Sequence, residues 1–396
     1  MNQTNPDNLA QDFAVQAEAA AARREYQKAS ELYARAASLK ELAVPLQWQY
    51  RNQQALMLAE FGREFRNNTA LEDAIRLYEN TVVVLAPLDE RPEDWAATQQ
   101  QLGYTLGLLG QRQRATVMLE KAIGVFEDLL PVISREQNPL GWARAQDSYG
   151  NVLGILGQRQ GDTDMLKQSV AAFEAALEVR TRESVPMDWA ATQNNLGTVL
   201  QVIAQREKDP KLLKKSVEAY RNVLQEWTRE RAPSNWATTF NNLGMVLRLL
   251  GETRKGPRTL EQSVAAFQNA LAERTREQFP IEWAMTQNNL GAALQSLGKR
   301  SEDTHFLEES VKAYECALQE ITREKAPMSW AMTLANLGAV RMLLAERAGS
   351  ADVALLALKD VAEVVDYFRE VSHAHYLELA DEPRKKAQAL VTALNG

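Results

Sequence analysis

Residues 186–230 read PMDWAATQNNLGTVLQVIAQREKDPKLLKKSVEAYRNVLQEWTRE. In the first half Trp189, Leu196, Leu200 and Ile203 fall at offsets of 0, 7, 11 and 14, which places them on one face of a helix. After EKDP the pattern returns with Leu213, Val217, Tyr220 and Leu224. Pro186 precedes Trp189 by three residues, where proline ends the previous helix and is tolerated at the start of the next. The stretch predicts helix, loop, helix. The period-2 alternation of a β-blade is absent.

The same pattern recurs outward in both directions. Trp48, Trp95, Trp142, Trp189, Trp236, Trp283 and Trp330 are spaced by 47 residues, and only Trp227 stands outside the series. Pro45, Pro92, Pro139, Pro186, Pro233, Pro280 and Pro327 keep the same distance from their tryptophans. A fixed period of this size marks a repeat architecture, in which each hairpin buries its apolar face on the next. Gly103, Gly150, Gly197, Gly244, Gly291 and Gly338 follow their tryptophans by eight residues, in mid-helix. Glycine there costs about 1 kcal/mol relative to alanine, so a packing reason is required. The small residues Ala122, Ser169, Ser216, Ser263 and Ser310 of the second helix are expected to face these glycines. Phe126, Phe173, Tyr220, Phe267 and Tyr314, four positions later, fill the adjoining space.

Composition bounds the remainder. The chain has 396 residues, 45% hydrophobic and 24% charged, and no apolar run near the length of a membrane span. Its net charge of −7 argues against nucleic acid and anionic membrane surfaces, which take their affinity from basic patches. The opening MNQTNPDNLAQDF has neither a basic nor an apolar region of a secretory signal, so a cytoplasmic location is expected. Cys316 is the single cysteine, so no intrachain disulfide is available.

The order Trp, Leu-Gly, then small–aromatic–small resembles the tetratricopeptide repeat, with Leu196-Gly197 and Ser169, Phe173 and Ala176 carrying the resemblance. The 47-residue unit is longer than the usual 34. Its Pro-x-x-Trp-Ala-x-Thr-Gln-Asn-Asn-Leu-Gly wording resembles the long-repeat branch typified by kinesin light chain. The resemblance implies an all-α, right-handed α-solenoid of stacked antiparallel helix pairs. The expected division is a divergent helical hairpin over 1–47, seven repeats over 48–376 and a C-terminal capping helix over 377–396, begun at Glu382-Pro383. The ends depart from the pattern: the Trp48 unit reads Ala55-Leu56 in place of Leu-Gly, and Arg341 stands where Leu294 stood one unit earlier.

The sharpest functional signal is a pair of amide columns. Gln101, Ser148, Asn195, Asn242, Asn289 and Asn336 occur six residues after the tryptophan; Gln100, Asp147, Asn194, Asn241, Asn288 and Ala335 occur five after it. Adjacent asparagines are poor mid-helix choices, so propensity does not explain them. The resemblance to kinesin light chain and to the repeats of O-linked GlcNAc transferase implies that they line a concave groove and grip an extended peptide backbone. A carboxamide offers one donor group and one acceptor, matching a peptide bond. The competing expectation is that a column bonds its own scaffold. Met245, Met285, Met332 and Met342 would supply an adaptable apolar surface, or else fill the core between units, and Arg248 would read a carboxylate.

Other patterns read as structural. The triplets Ser134-Arg135-Glu136, Thr181-Arg182-Glu183, Thr228-Arg229-Glu230, Thr275-Arg276-Glu277 and Thr322-Arg323-Glu324 suit helix ends, where Arg bonds the last carbonyls and Glu pairs with a neighbour; the alternative is a charged ligand bound along one edge. Asp162, Asp209 and Asp303 suit caps of the second helix. His305, His373 and His375 form no metal-binding pattern, and neither a nucleophile with its base nor a phosphate loop is present. An enzyme and a cofactor are therefore not expected. The expected partner is another protein or peptide. Self-assembly of the solenoid, or a regulatory sensor module, is the alternative.

Overall fold

The computed structural model describes residues 6–395. The expectation about a leader reaches residues 1–5, which lie outside that range. Among the described residues the structure is helical throughout, without strands. Two compact units are distinguished, residues 1–199 and 200–396.

In the first unit, the helices Pro6–Ala22 and Tyr26–Ala37 form an N-terminal hairpin. Ala10, Ala14, Ala17 and Ala20 make a fully buried stripe at helical spacing, so the two backbones approach closely. The Trp48 hairpin follows, from Val44–Glu64 and Asn68–Leu77, the latter running through a π-helical turn at Tyr78–Val82. The Trp95 hairpin pairs Pro92–Arg112 with Val117–Leu129, and the Trp142 hairpin pairs Pro139–Gln160 with Thr163–Leu177. The helix Pro186–Glu207 crosses the boundary between the units.

The second unit opens with the end of that helix, followed by Pro210–Val223. The Trp236 hairpin is Pro233–Glu252 with Arg258–Leu271, and the Trp283 hairpin is Pro280–Gly298 with His305–Leu318. The Trp330 hairpin is Pro327–Ala348 with Ala351–Glu370, and the helix Ala374–Asn395 covers it. The prolines of these units stand at the first or second helical position, as their missing N–H allows.

The last helix corrects the expectation of a start at Glu382-Pro383. It begins at Ala374, and Pro383 lies inside it. The extra turns are held by aromatic contact: the Tyr376 ring stacks on Phe368 at 5.1 Å and lies 4.6 Å from His373. That packing offsets the backbone hydrogen bond a mid-helix proline removes.

The mid-helix glycines meet the aromatic column itself. A Cβ on Gly103 would stand 2.7 Å from Cζ of Phe126, and one on Gly150 would stand 3.0 Å from Cε1 of Phe173. Gly244 and Gly291 face Phe267 and Tyr314 in the same way, at 2.8 and 3.0 Å. These rings are fully buried. The small residue has a polar task as well. The hydroxyls of Ser169, Ser263 and Ser310 donate to the carbonyls of Gly150, Gly244 and Gly291 at 2.5, 2.7 and 2.7 Å. The Trp142, Trp236 and Trp283 hairpins are thus each locked by a ring under a glycine and a hydroxyl on its carbonyl.

Adjacent hairpins are joined by arginines near the end of several first helices. Arg159 donates to the carbonyls of Gly110, Gln111 and Gln113, at 2.8–3.0 Å. Arg112 does the same to Gly62 and Arg63, Arg300 to Gly251, Glu252 and Gly256, and Arg347 to Gly298 and Ser301. A helix C-terminus leaves carbonyls without partners, and here the following hairpin supplies a charged donor for them. In the Trp236 hairpin the corresponding residue is Thr253, whose hydroxyl donates within its own helix to Leu250.

The Ser/Thr-Arg-Glu triplets also act between neighbours, chiefly through a ring and a carboxylate; Arg229 in addition donates to the Ala272 carbonyl at 3.4 Å. The guanidinium of Arg135 lies 4.9 Å from the Trp142 ring and pairs with Glu178 at 2.7 Å. Arg229, Arg276 and Arg323 repeat this over Trp236, Trp283 and Trp330, pairing with Glu273, Glu320 and Glu370. Glu230 and Glu324 turn back to hydrogen bond their own triplet's threonine and backbone, which holds their carboxyls below the usual range. The expected Asp caps are present. Asp162 accepts from Asp164 and Met165, Asp209 from Lys211, and Asp303 from His305.

Candidate functional site

The two amide columns lie side by side on the first helices, and their environments differ. In the second unit the column five residues after tryptophan is the more buried: Asn241 is 9% exposed. Asn289 Nδ2 donates to Asn241 Oδ1 at 3.1 Å, joining the Trp283 hairpin to the Trp236 hairpin. Asn241 Nδ2 in turn lies 3.4 Å from Asn242 Oδ1. Here the scaffold alternative is realised, with amides of neighbouring hairpins bonding to each other. Asn288 Oδ1, in contrast, is buried with no hydrogen-bond partner. Asn242 and Asn336 are half-buried, and the Asn336 carboxamide makes no hydrogen bond within the described protein.

The first unit carries Gln101, Ser148, Asn194 and Asn195. Asn195 is half-buried and its carboxamide is unpaired; Asn194 Oδ1 is buried without a partner. Gln101 is half-buried, and its backbone carbonyl accepts from Thr105 at 2.7 Å. Asp147, standing where later units have asparagine, lies 3.4 Å from Arg180, and its Oδ1 has no partner. With Ser148 it lines a cavity of about 70 Å³, walled also by Tyr104, Gly107 and Gln111.

Burial pushes the Asp147 carboxyl above its ordinary value of 3.8, against the opposing pull of Arg180. The folded chain therefore binds this proton more tightly than the unfolded chain. Stability contributed at this site falls as pH rises from 3.8 through the folded value. An Asp147→Asn variant lacks that component. Its thermal midpoint should gain on the wild type as pH rises from 3.8 towards neutrality. A gap that does not change with pH would refute this account.

The methionines do not form one surface. Met285 and Met332 are exposed, at 55% and 54%, whereas Met245 packs against the cluster of Phe267, Leu290 and Leu294. Met342 is half-buried. Arg248 pairs with Glu252 one helical turn on, at 2.5 Å. Glu252 also accepts from Ser296 of the next hairpin.

A buried threonine column went unread in the sequence. Thr98, Thr192, Thr239, Thr286 and Thr333 stand three residues after their tryptophans and are almost fully buried. Each hydroxyl donates to the carbonyl four residues back. Its oxygen then accepts from a neighbour: Trp48 Nε1 on Thr98 at 3.0 Å, Arg180 on Thr192 and Arg274 on Thr286 at 2.9 Å. The Thr-Gln-Asn-Asn wording contained this signal, since a β-branched polar residue at a fixed buried register has to be satisfied.

Stacked helix pairs with an open polar face on the first helices define a helical-repeat protein. A family profile described as tetratricopeptide repeat matches residues 283–319, most of the Trp283 hairpin. The match does not establish the kinesin light chain branch. No curated protein matches the chain in sequence. Among solved structures it is similar to a Rap protein complexed with competence and sporulation factor, at 13% identity over 97% of this chain and 99% of that one, with a TM-score of 0.46. It is also similar to the apo form of RapI, at 12% identity over 87% and 98%, TM-score 0.48. The Cut9–Hcn1 hetero-tetramer gives 13% identity over 96% and 76%, TM-score 0.44. At this level of similarity these structures assign no function to the chain.

Proposed function

We propose that this protein is a non-enzymatic interaction module that holds an extended segment of another protein against the first helices. Tetratricopeptide repeats generally mediate protein–protein interaction, and the amide columns are the feature suited to a peptide backbone. The observation that carries the reading is that Asn195 and Asn336 present unpaired, half-buried carboxamides at one repeat register. Each offers a donor and an acceptor at the edge of a largely apolar helix face. A carboxamide that keeps solvent access exchanges water for a bound backbone at little cost. No helix of the described residues is long and apolar enough to cross a membrane.

The test separates ligand contact from scaffold. Asn195, Asn242 and Asn336 are changed together to alanine, leaving Asn289 and Asn241 to hold their hairpins. Capture of partner proteins from a native extract should be lost, while the thermal midpoint moves little. Retained capture would remove the amide columns from the binding role. A large fall in midpoint would show that the columns serve the fold.

A further inference from the structure

Residues 208–258 hold eleven Lys and Arg against five Asp and Glu, in a chain whose net charge is −7. The whole-chain balance hides this block. In the second unit it gathers at a cavity of about 400 Å³ between the second helix of the Trp189 hairpin and the Trp236 hairpin. Lys214, Arg221 and Arg254 line it and are exposed, and Glu218 is the only carboxylate among the lining residues. Its apolar lining is Val217, Leu247 and Leu250.

Most basic side chains at the hairpin junctions have an assigned acidic or carbonyl partner. These three have no ion pair. Arg254 makes one hydrogen bond, to Thr259 at 3.1 Å, leaving most of its N–H groups available. The repeat itself departs from its pattern here: Thr253 takes the place of the arginine that elsewhere bonds the preceding helix end, and the arginine stands one residue on.

We propose that this cleft, away from the amide columns, binds an acidic segment of a protein partner. Lys214 and Arg221 are seven residues apart on one helix, about 10 Å along its axis. That spacing is too wide for a single phosphate. It suits carboxylates set two helical turns apart, above a floor of Val217 and Leu247 that is almost fully buried. The net charge of −7 opposes a long nucleic acid backbone, whereas a short acidic segment meets only the local basic excess.

Fluorescence anisotropy with a labelled helical peptide carrying Glu residues seven positions apart tests this on the full chain. The peptide should bind, with affinity falling as salt rises. The variant K214E/R221E/R254E should weaken it by about tenfold or more. The neutral variant K214Q/R221Q should weaken it less, with the circular dichroism of both variants unchanged. Inorganic phosphate at equal ionic strength should compete no better than chloride. Equal binding by wild type and both variants would overturn the proposal. So would tighter binding of a single-stranded oligonucleotide that depends on the same three residues. The Asn195/Asn242/Asn336 variant should bind the peptide as the wild type does, so failure of the groove reading leaves this result standing.

Discussion

Alanine at Phe173 should lower the unfolding free energy by about 3–5 kcal/mol, read as a fall in denaturant midpoint. The ring is fully buried and is held beneath Gly150, with Cε1 3.0 Å from where a Cβ would stand. Its removal opens a cavity that a rigid pair of helices cannot close. The reciprocal change gives the sharper check. Gly150→Ala in an isolated helix gains about 1 kcal/mol, but here the added methyl meets the Phe173 ring. Overpacking of this kind costs about 1–3 kcal/mol, so the variant should be destabilised. A stabilised Gly150→Ala would show that the ring moves aside and that the glycine column answers to something else.

Leucine at Arg341 should cost about 3 kcal/mol, because it strands a buried charge. Arg341 and Asp360 are 13% and 10% exposed and are paired at 2.6 Å, with Glu315 at 2.5 Å on the solvent side. The preceding unit has Leu294 in the arginine's place, so the position itself accepts leucine. Burial pushes the Asp360 carboxyl upward, and Arg341 opposes that rise. Without the arginine the carboxyl rises further and takes up a proton at a higher pH. The deficit of Arg341→Leu should therefore shrink on acidification, and adding Asp360→Ala should recover most of it at neutral pH. A deficit unchanged by pH and not rescued by the second substitution would locate the loss in packing.

The fold was legible because its determinants repeat. Trp, Pro, Gly and the aromatic each serve contacts within one hairpin or with the next, so a period of 47 prints them directly on the sequence. What lay hidden were partnerships that span the period. Arg159 reads as a basic residue near its own helix end, yet its carbonyls lie in the preceding hairpin, 46–49 residues earlier. The triplet arginines misled for the same reason, since the tryptophan that receives each one belongs to the next unit. The candidate site was legible as two columns, but not as two environments. Only packing shows that Asn289 bonds Asn241 while Asn195 and Asn336 are unpaired. Net charge concealed the basic cleft, because a sum over the chain erases a local excess.

The arginines that join neighbouring hairpins have a consequence for how such a chain can change length. Donor and acceptor belong to different copies of the unit, in a constant register. Excising or duplicating one whole copy that carries the arginine brings a new donor onto an equivalent helix end, and its carbonyls are again satisfied. An insertion or deletion of any other size within a first helix shifts donor from acceptor and leaves a bare helix end at the junction. Evolution, or a designer, can therefore extend this protein only in whole steps, and the step is written into a side chain that reaches backwards.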